Sequence, residues 1–265
     1  MKGYYVQMSS IIYPIFIFFV SYYAFKRRSL TKSGAIAAFF VGTGIAIGFG
    51  YKGLIVLGVF FVSSSMFSKY KGKTKQSMAE KTQKGSTRDA LQVMANGGFA
   101  AIASIVYYFT KDSIWITVFS ILLAAANSDT WASEIGSLSK KNPISVRTWK
   151  PTETGTSGAI SVLGTWAALA GAFVIALTAI VLFPIHLGGF VSIILFGFLG
   201  NVIDTILGAF VQVEYKCPVC GKIFETKWKC HESLVKIKGF ALFNNDMVNV
   251  LSGLLAALLY FVFFQ

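Results

Sequence analysis

Acidic side chains are scarce in this chain: eleven Asp and Glu stand against twenty-four Lys and Arg in 265 residues, and charged residues of both signs make up only 13%. An ordinary soluble domain carries roughly twice that charged fraction, so that class is excluded. No phosphate-binding loop of the form G-x-x-x-x-G-K-[ST] occurs, nor any protein-kinase or dinucleotide-fold signature, so a nucleotide would have to be held by other means. The three cysteines, Cys217, Cys220 and Cys230, are confined to one short basic stretch, too few for a disulfide scaffold. A small-residue cleavage site after the first apolar run is missing, since Lys26, Arg27 and Arg28 follow it; a removable signal peptide is not expected.

What fills the chain instead is apolar surface: 55% of residues are hydrophobic and the mean hydropathy is +0.64. About 20 consecutive apolar residues cross a bilayer as a helix. Eight such runs are expected, at roughly 4–25, 32–50, 53–68, 90–110, 113–136, 155–182, 188–212 and 239–264, the second and third being short. The fold class is therefore an all-α polytopic membrane protein, one integral membrane domain over 1–265, with a small Cys/His insertion at 213–238. With eight runs, only Lys2, Lys52 and Lys111 fall on one side, leaving twenty-one basic residues on the other. The positive-inside rule then puts both termini outside and the basic loops in the cytoplasm, with the cell membrane as the expected location. The charge thus belongs to topology, and no nucleic-acid partner is expected.

The polar residues inside the runs share a depth. Asp129 lies sixteen residues past Ser113 and Asp204 sixteen past Gly188, each about 24 Å into a core of about 30 Å. From the basic side, Asn96 and Asp246 lie about 10 Å below the surface. An ionised group within the apolar slab costs at least a few kcal/mol, so several at one level imply a shared, hydrated or ion-filled pocket. In "AAANSDTWASEIGS", Asn127, Thr130 and Glu134 share one helical face while Asp129 and Ser133 share nearly the opposite one. Such a turn is either enclosed by neighbouring spans or broken near Asn127. "FNNDMVNVLSG" adds Asn245, Asp246 and Asn249, with Asn244 or Asn245 as a helix cap. "WKPTETGTSGAIS" reads as a proline turn leading to a helix start, where free N–H groups, Lys150, Thr152, Glu153, Thr156 and Ser157 would meet an anion.

Two further features are peripheral. Cys217, Cys220, Cys230 and His231 match a tetrahedral zinc clip in ligand type, although adjacent Cys and His ligands are strained. The basic loop before Asp89 is expected to touch anionic lipid headgroups, with Lys84 or Arg88 a secondary candidate for a nucleotide phosphate.

The words "ANGG", "NSDTWASEIG", "KPTETGTSGAIS", "IDTILGAFVQ" and "NNDMVN", in this order from about residue 30 to the C-terminus, resemble the integral-membrane family of the chloroplast phytyl-phosphate kinases and animal transmembrane protein 19, related to polyprenol kinases. The resemblance implies transfer of a phosphoryl group from a nucleoside triphosphate, CTP before ATP, to a prenyl monophosphate or prenol. Carried onto this chain, it makes Asp129, Glu134, Lys150, Asp204 and Asp246 the catalytic candidates, with Asp129, Asp204 and Asp246 holding Mg²⁺. Asn96, Asn127, Thr152, Glu153, Thr156, Ser157, Asn245 and Asn249 would contact the nucleotide and phosphates. A few carboxylates with Mg²⁺ suffice for such chemistry. The alternatives are a transporter or flippase of a phosphorylated lipid and a non-catalytic membrane scaffold.

Overall fold

The computed structural model describes residues 2–70, 87–221, 223–225 and 234–264, with residues 2–10 described as backbone only. Among the described residues seven helices carry the fold: α1 (Lys2–Lys26), α2 (Lys32–Lys69), α3 (Ala90–Thr110), α4 (Ile114–Gly136), α5 (Val162–Leu182), α6 (Leu187–Phe210) and α7 (Asn245–Phe264). All but α1 are long and apolar enough to cross a membrane, and α1 adds the shorter apolar stretch Ile11–Lys26.

α2 is not one rod. At 1.5 Å per residue its 38 residues would reach about 57 Å, nearly twice the bilayer core. Gly50 breaks it at φ 56°, ψ −143°, a conformation open mainly to glycine. Residues 51–69 then run back against 32–49. Gly53 packs on Ile45, and Lys69 Nζ at the far end lies 2.7 Å from Ser29 Oγ, beside the start of the first arm. The two short runs at 32–50 and 53–68 are therefore the arms of a hairpin, and the eight expected runs become eight helical segments.

The ends of these segments sort into two levels. Phe49 near the hairpin turn stacks on Tyr107 and meets Phe183 edge-on, which brings together the α2 turn, the C-terminal end of α3 and the residue that follows α5. At the opposite level Leu30 and Arg88 form a parallel bridge and Gly136 rests on Gly164. Lys26, Lys32 and Lys69 end or begin their helices at that second level.

α4 occupies the middle of the bundle: 67% of its apolar window is buried, against 33–39% for the other spanning helices. Small residues permit this. Gly197 and Gly200 of α6 lie against Ala124 and Ala125, and Gly171 of α5 against Asn127 and Ser128, so close that a Cβ on any of the three would crowd α4. Phe119, Ile121, Leu123 and Ala124 are wholly buried there.

Two helix starts differ from the sequence reading. The span expected from 155 begins at Val162, because Gly155 and Gly158 hold φ of 83° and 75° and cannot continue a helix. Residues 144–145 (β1) and 159–160 (β2) pair instead as a two-stranded ribbon, and Ser161 caps α5 by accepting from the Gly164 amide at 3.0 Å. The span expected from 239 begins at Asn245, after Gly239 at φ 69°; Asn244 is the cap, its Oδ1 accepting from Met247 N at 3.0 Å. Between α6 and α7 the described part of the insertion is a three-stranded antiparallel sheet of β3 (Glu214–Lys216) flanked by β4 (Ile223–Phe224) and β5 (Val235–Lys238).

The Ser104 hydroxyl donates to Ile45 O at 2.8 Å where α3 crosses the first arm of α2, and a Cβ on Gly48 would collide with the Ser104 carbonyl. Gly48→Ala is expected to destabilise the protein by about 1–3 kcal/mol, measured as a lower thermal midpoint in nanodiscs. Gly58→Ala, where a Cβ meets open space, should leave the midpoint unchanged.

Candidate functional site

The polar turns of α4 stay helical and are enclosed by neighbouring helices, without a break at Asn127. Asn127 is wholly buried: its Nδ2 donates to Gly171 O at 2.8 Å, and its Oδ1 accepts from Ser63 Oγ at 3.3 Å and Ser64 Oγ at 3.2 Å. Ser128 Oγ donates to Ala168 O at 2.8 Å. Trp131 Nε1 adds a bond to Ser63 Oγ at 3.2 Å. Asn127 is thus tied to α2 and α5 on both ends of its amide, and the expected contact to a nucleotide is replaced by helix packing.

With that face of α4 fixed, Asp129 points the other way. It lines a small recess between α3, α4 and α7, together with Asn96, Asn249 and Ser252 and the apolar walls Phe99, Leu122 and Val250. Asn96 Nδ2 donates to Gln92 O at 2.9 Å, one turn back on α3. Asn249 Oδ1 is buried without a hydrogen-bond partner. Leaving such an acceptor dry costs about 1–3 kcal/mol, so this atom asks for a ligand, a water or an ion.

Asp204 of α6 stands behind the recess lining and touches it through Ser252. Ser252 Oγ donates to Asp204 Oδ2 at 3.2 Å, and the Asp204 carboxyl lies within electrostatic reach of Asp129 and Glu225. The structure therefore brings together Asn96, Asp129, Asp204 and Asn249 from four helices, as their common depth implies. Asp246 is buried in the first turn of α7, where a carboxylate suits the helix dipole, and does not line the recess. Among the described residues no three Asp, Glu, His or Cys side chains converge as a ready-made cation site. The expected trio of Asp129, Asp204 and Asp246 does not converge: Asp129 and Asp204 lie within electrostatic reach of one another, and Asp246 lies outside the recess lining in the first turn of α7. Asn245 opens the same helix and stands outside the recess lining.

The 143–158 loop packs against the basic end of α6. Ser157 Oγ contacts Gln212 Oε1 at 2.8 Å and Gly208 O at 3.2 Å, while Gly158 lies against Ala209. Thr152 and Thr156 hydroxyls lie 3.3 Å apart, and Thr156 Oγ1 donates to Glu153 O at 2.7 Å. Lys150 and Glu153 are exposed. Since α5 starts at Val162 with its own serine cap, these residues do not form a helix N-terminus open to an anion; they form a buttress. Gln212 Nε2 donates to Glu225 Oε1 at 2.9 Å, and Lys238 Nζ bonds Glu214 Oε1 at 2.8 Å and Gly208 O at 2.9 Å. The insertion sheet is thereby clamped to α6 one turn past Asp204. Cys220 N donates to Cys217 Sγ at 3.5 Å in a knuckle-like turn; Cys230 and His231 lie outside the described residues.

Glu134 belongs to a second cluster. Its Oε1 accepts from Ser68 Oγ at 2.6 Å, and its charge faces Arg88. Burial pulls the Arg88 guanidinium down from its ordinary range to about 10, with Glu134 acting in the opposite direction, so Arg88 is charged at neutral pH.

Ser63, Ser64, Gln212, Glu225 and Ser252 were not foreseen. Only Ser252 had a local signal, three residues beyond Asn249 and hence on the same helical face.

The model of the integral membrane protein family DUF92 matches residues 15–257. Protein PGR of Arabidopsis thaliana is 31% identical over 266 residues, covering 91% of both chains. A membrane protein of Methanocaldococcus jannaschii is 33% identical over 191 residues, covering 71% of this chain and 76% of its own. Protein VTE6, chloroplastic, of Arabidopsis thaliana is 28% identical over 230 residues, 84% of this chain and 62% of its own. No solved structure matches the chain.

Asn127→Leu is expected to destabilise the bundle by about 2 kcal/mol, from three interhelical hydrogen bonds at roughly 0.6 kcal/mol each. Ser133→Ala, whose hydroxyl bonds only carbonyls of its own helix, should not shift the thermal midpoint.

Proposed function

This chain belongs to the integral membrane protein family DUF92, and on that premise we propose that it is a membrane-embedded phosphotransferase. It moves a phosphoryl group from a nucleoside triphosphate, CTP before ATP, to a prenyl monophosphate or prenol at the cytoplasmic face of the cell membrane. One observation carries this reading: Asp129 lines a recess with two carboxamides, of which Asn249 Oδ1 is buried without a partner among the described residues, and a second carboxylate, Asp204, lies within its electrostatic reach behind Ser252. The resemblance to the phytyl-phosphate kinases supports the choice of reaction.

The donor set is all oxygen and amide, which suits Mg²⁺, an ion held by one or two carboxylates while keeping several waters. Asp129 and Asp204 would hold it, and when bound it neutralises charge on the transferring phosphate. Ser252 keeps Asp204 oriented through its hydroxyl. Asn96 and Asn249 set the angle of approach of the acceptor, whose apolar tail lies along the walls formed by Phe99, Leu122 and Val250. Those walls also keep bulk water from competing for the phosphoryl group. A prenyl monophosphate attacks through an oxygen that is already charged and needs no base. A prenol must release its hydroxyl proton, and Asp129 is the carboxylate placed to receive it. The insertion sheet steadies the α6 end that carries Asp204, and a structural zinc held by Cys217, Cys220, Cys230 and His231 would stiffen it.

In nanodiscs with Mg²⁺, labelled CTP or ATP and a panel of prenols and prenyl monophosphates, labelled lipid should form. Asp204→Asn should lower the rate about 100-fold and Ser252→Ala about 10-fold. No labelled lipid from any acceptor contradicts the proposal, and nucleotide-free accumulation of a lipid phosphate in vesicles indicates a transporter.

A further inference from the structure

We propose that Arg88 forms a second anion site, separate from the aspartate recess, that receives a phosphate group at the basic end of the bundle. The inference rests on the phosphotransferase reading only for where that phosphate comes from.

Arg88 is placed by its backbone. Its N donates to Ser29 O at 3.0 Å, and its O accepts from Thr31 N at 2.9 Å. Gly34 packs directly on the Arg88 carbonyl, where any Cβ would collide. The next residue, Asp89, caps α3 in a reciprocal box with Gln92. The side chain is therefore launched inward from a fixed point. Its guanidinium lies 5.6 Å from the Phe60 ring centroid and 5.7 Å from that of Phe61, both on the second arm of α2.

This head is under-used. Nη1 is buried and has no hydrogen-bond partner among the described residues. An ionised donor left dry inside a protein is more costly than a neutral one, and guanidinium forks match phosphate oxygens in shape. The charges around it define what it can take. Glu134 on α4 is the acid that faces it, and that carboxylate is occupied by Ser68. Lys69, at the same corner, is bound to Arg27 O and Ser29 Oγ and adds positive field. Asp89 accepts from the Gln92 amide at 3.0 Å.

The location relative to the recess is informative. Arg88 is eight residues before Asn96 on the α3 side, about 12 Å along the axis, and Glu134 is five residues after Asp129 on α4, about 7.5 Å. Arg88 thus belongs to the basic end of the bundle, on the α2 and Glu134 side of α4 and not on the Asp129 side that faces the recess. A phosphate there is an ester of a nucleotide or of a lipid; the chemistry that Arg88 recognises is the same.

The test is calorimetric titration of the full-length protein in phosphatidylcholine nanodiscs with EDTA, which takes divalent cations out of play. Three probes are used: inorganic pyrophosphate, CTP and farnesyl monophosphate. At least one should bind. Arg88→Gln should weaken it about tenfold to a hundredfold, as expected for a lost charge-assisted hydrogen bond, and Arg88→Lys less. Glu134→Gln, which removes the competing negative charge, should tighten it. Response to CTP alone assigns the phosphate to the nucleotide, and response to farnesyl monophosphate alone assigns it to the lipid. Binding of no probe overturns the proposal, as does equal binding by wild type and folded Arg88→Gln. If Arg88→Gln does not fold, the Glu134→Gln titration decides: tighter binding supports the site and unchanged binding overturns it. Phosphate binding without any phosphoryl transfer would defeat the enzymatic reading and leave this site standing.

Discussion

Hydrocarbon offers no partner to a polar atom, and that constraint organises the bundle around α4. The helix carries Asn127, Ser128, Asp129, Thr130, Ser133 and Glu134 within eight residues, on every face. Such a segment is stable only if protein surrounds it. Glycines and alanines on α5 and α6 let those backbones approach until Gly171 and Ala168 carbonyls bond directly to α4 side chains. Ser63 and Ser64 on the returning arm of α2 close the other side. The most polar spanning helix becomes the most buried one.

Fixing one face of α4 leaves the opposite face to be used. Asp129 looks into space bounded by α3 and α7, where Asn96, Asn249 and Ser252 complete a polar lining, and Ser252 hands the contact on to Asp204. Two carboxylates brought into each other's field inside a membrane repel one another, and in the proposed role a divalent cation with its waters would relieve that repulsion. The stretch between α6 and α7 serves the same end. Lys238, Glu214, Gln212 and Ser157 bind the sheet and the 143–158 loop to the last turns of α6, so the helix that presents Asp204 is held at its free end.

Much of this was legible in the sequence. The eight apolar runs and the one-sided distribution of Lys and Arg follow from transfer energies that act residue by residue, and the depth of Asp129, Asp204 and Asn96 follows from helix rise alone. Even the two short runs around Gly50 were distinguishable, though the hairpin joining them was not. Partners were harder. A helical wheel placed Asn127 and Asp129 on different faces but could not say that α2 and α5 would consume the first. The start at 155 was misjudged because Thr and Ser suggest a cap, whereas the positive φ of Gly155 and Gly158 and the pairing of β1 with β2 depend on contacts distant in the chain. Asp246 shared the right depth and still stands outside the recess lining, since depth fixes height along the axis and not direction.

The central claim is that Asp129 and Asp204 share one divalent cation in the recess. Electron paramagnetic resonance with Mn²⁺ as the probe examines it without reference to any substrate. One saturable Mn²⁺ site, displaced by Mg²⁺ and lost in both Asp129→Asn and Asp204→Asn, is the predicted result. Undiminished Mn²⁺ binding in the two variants, or none in the native protein, would contradict the account.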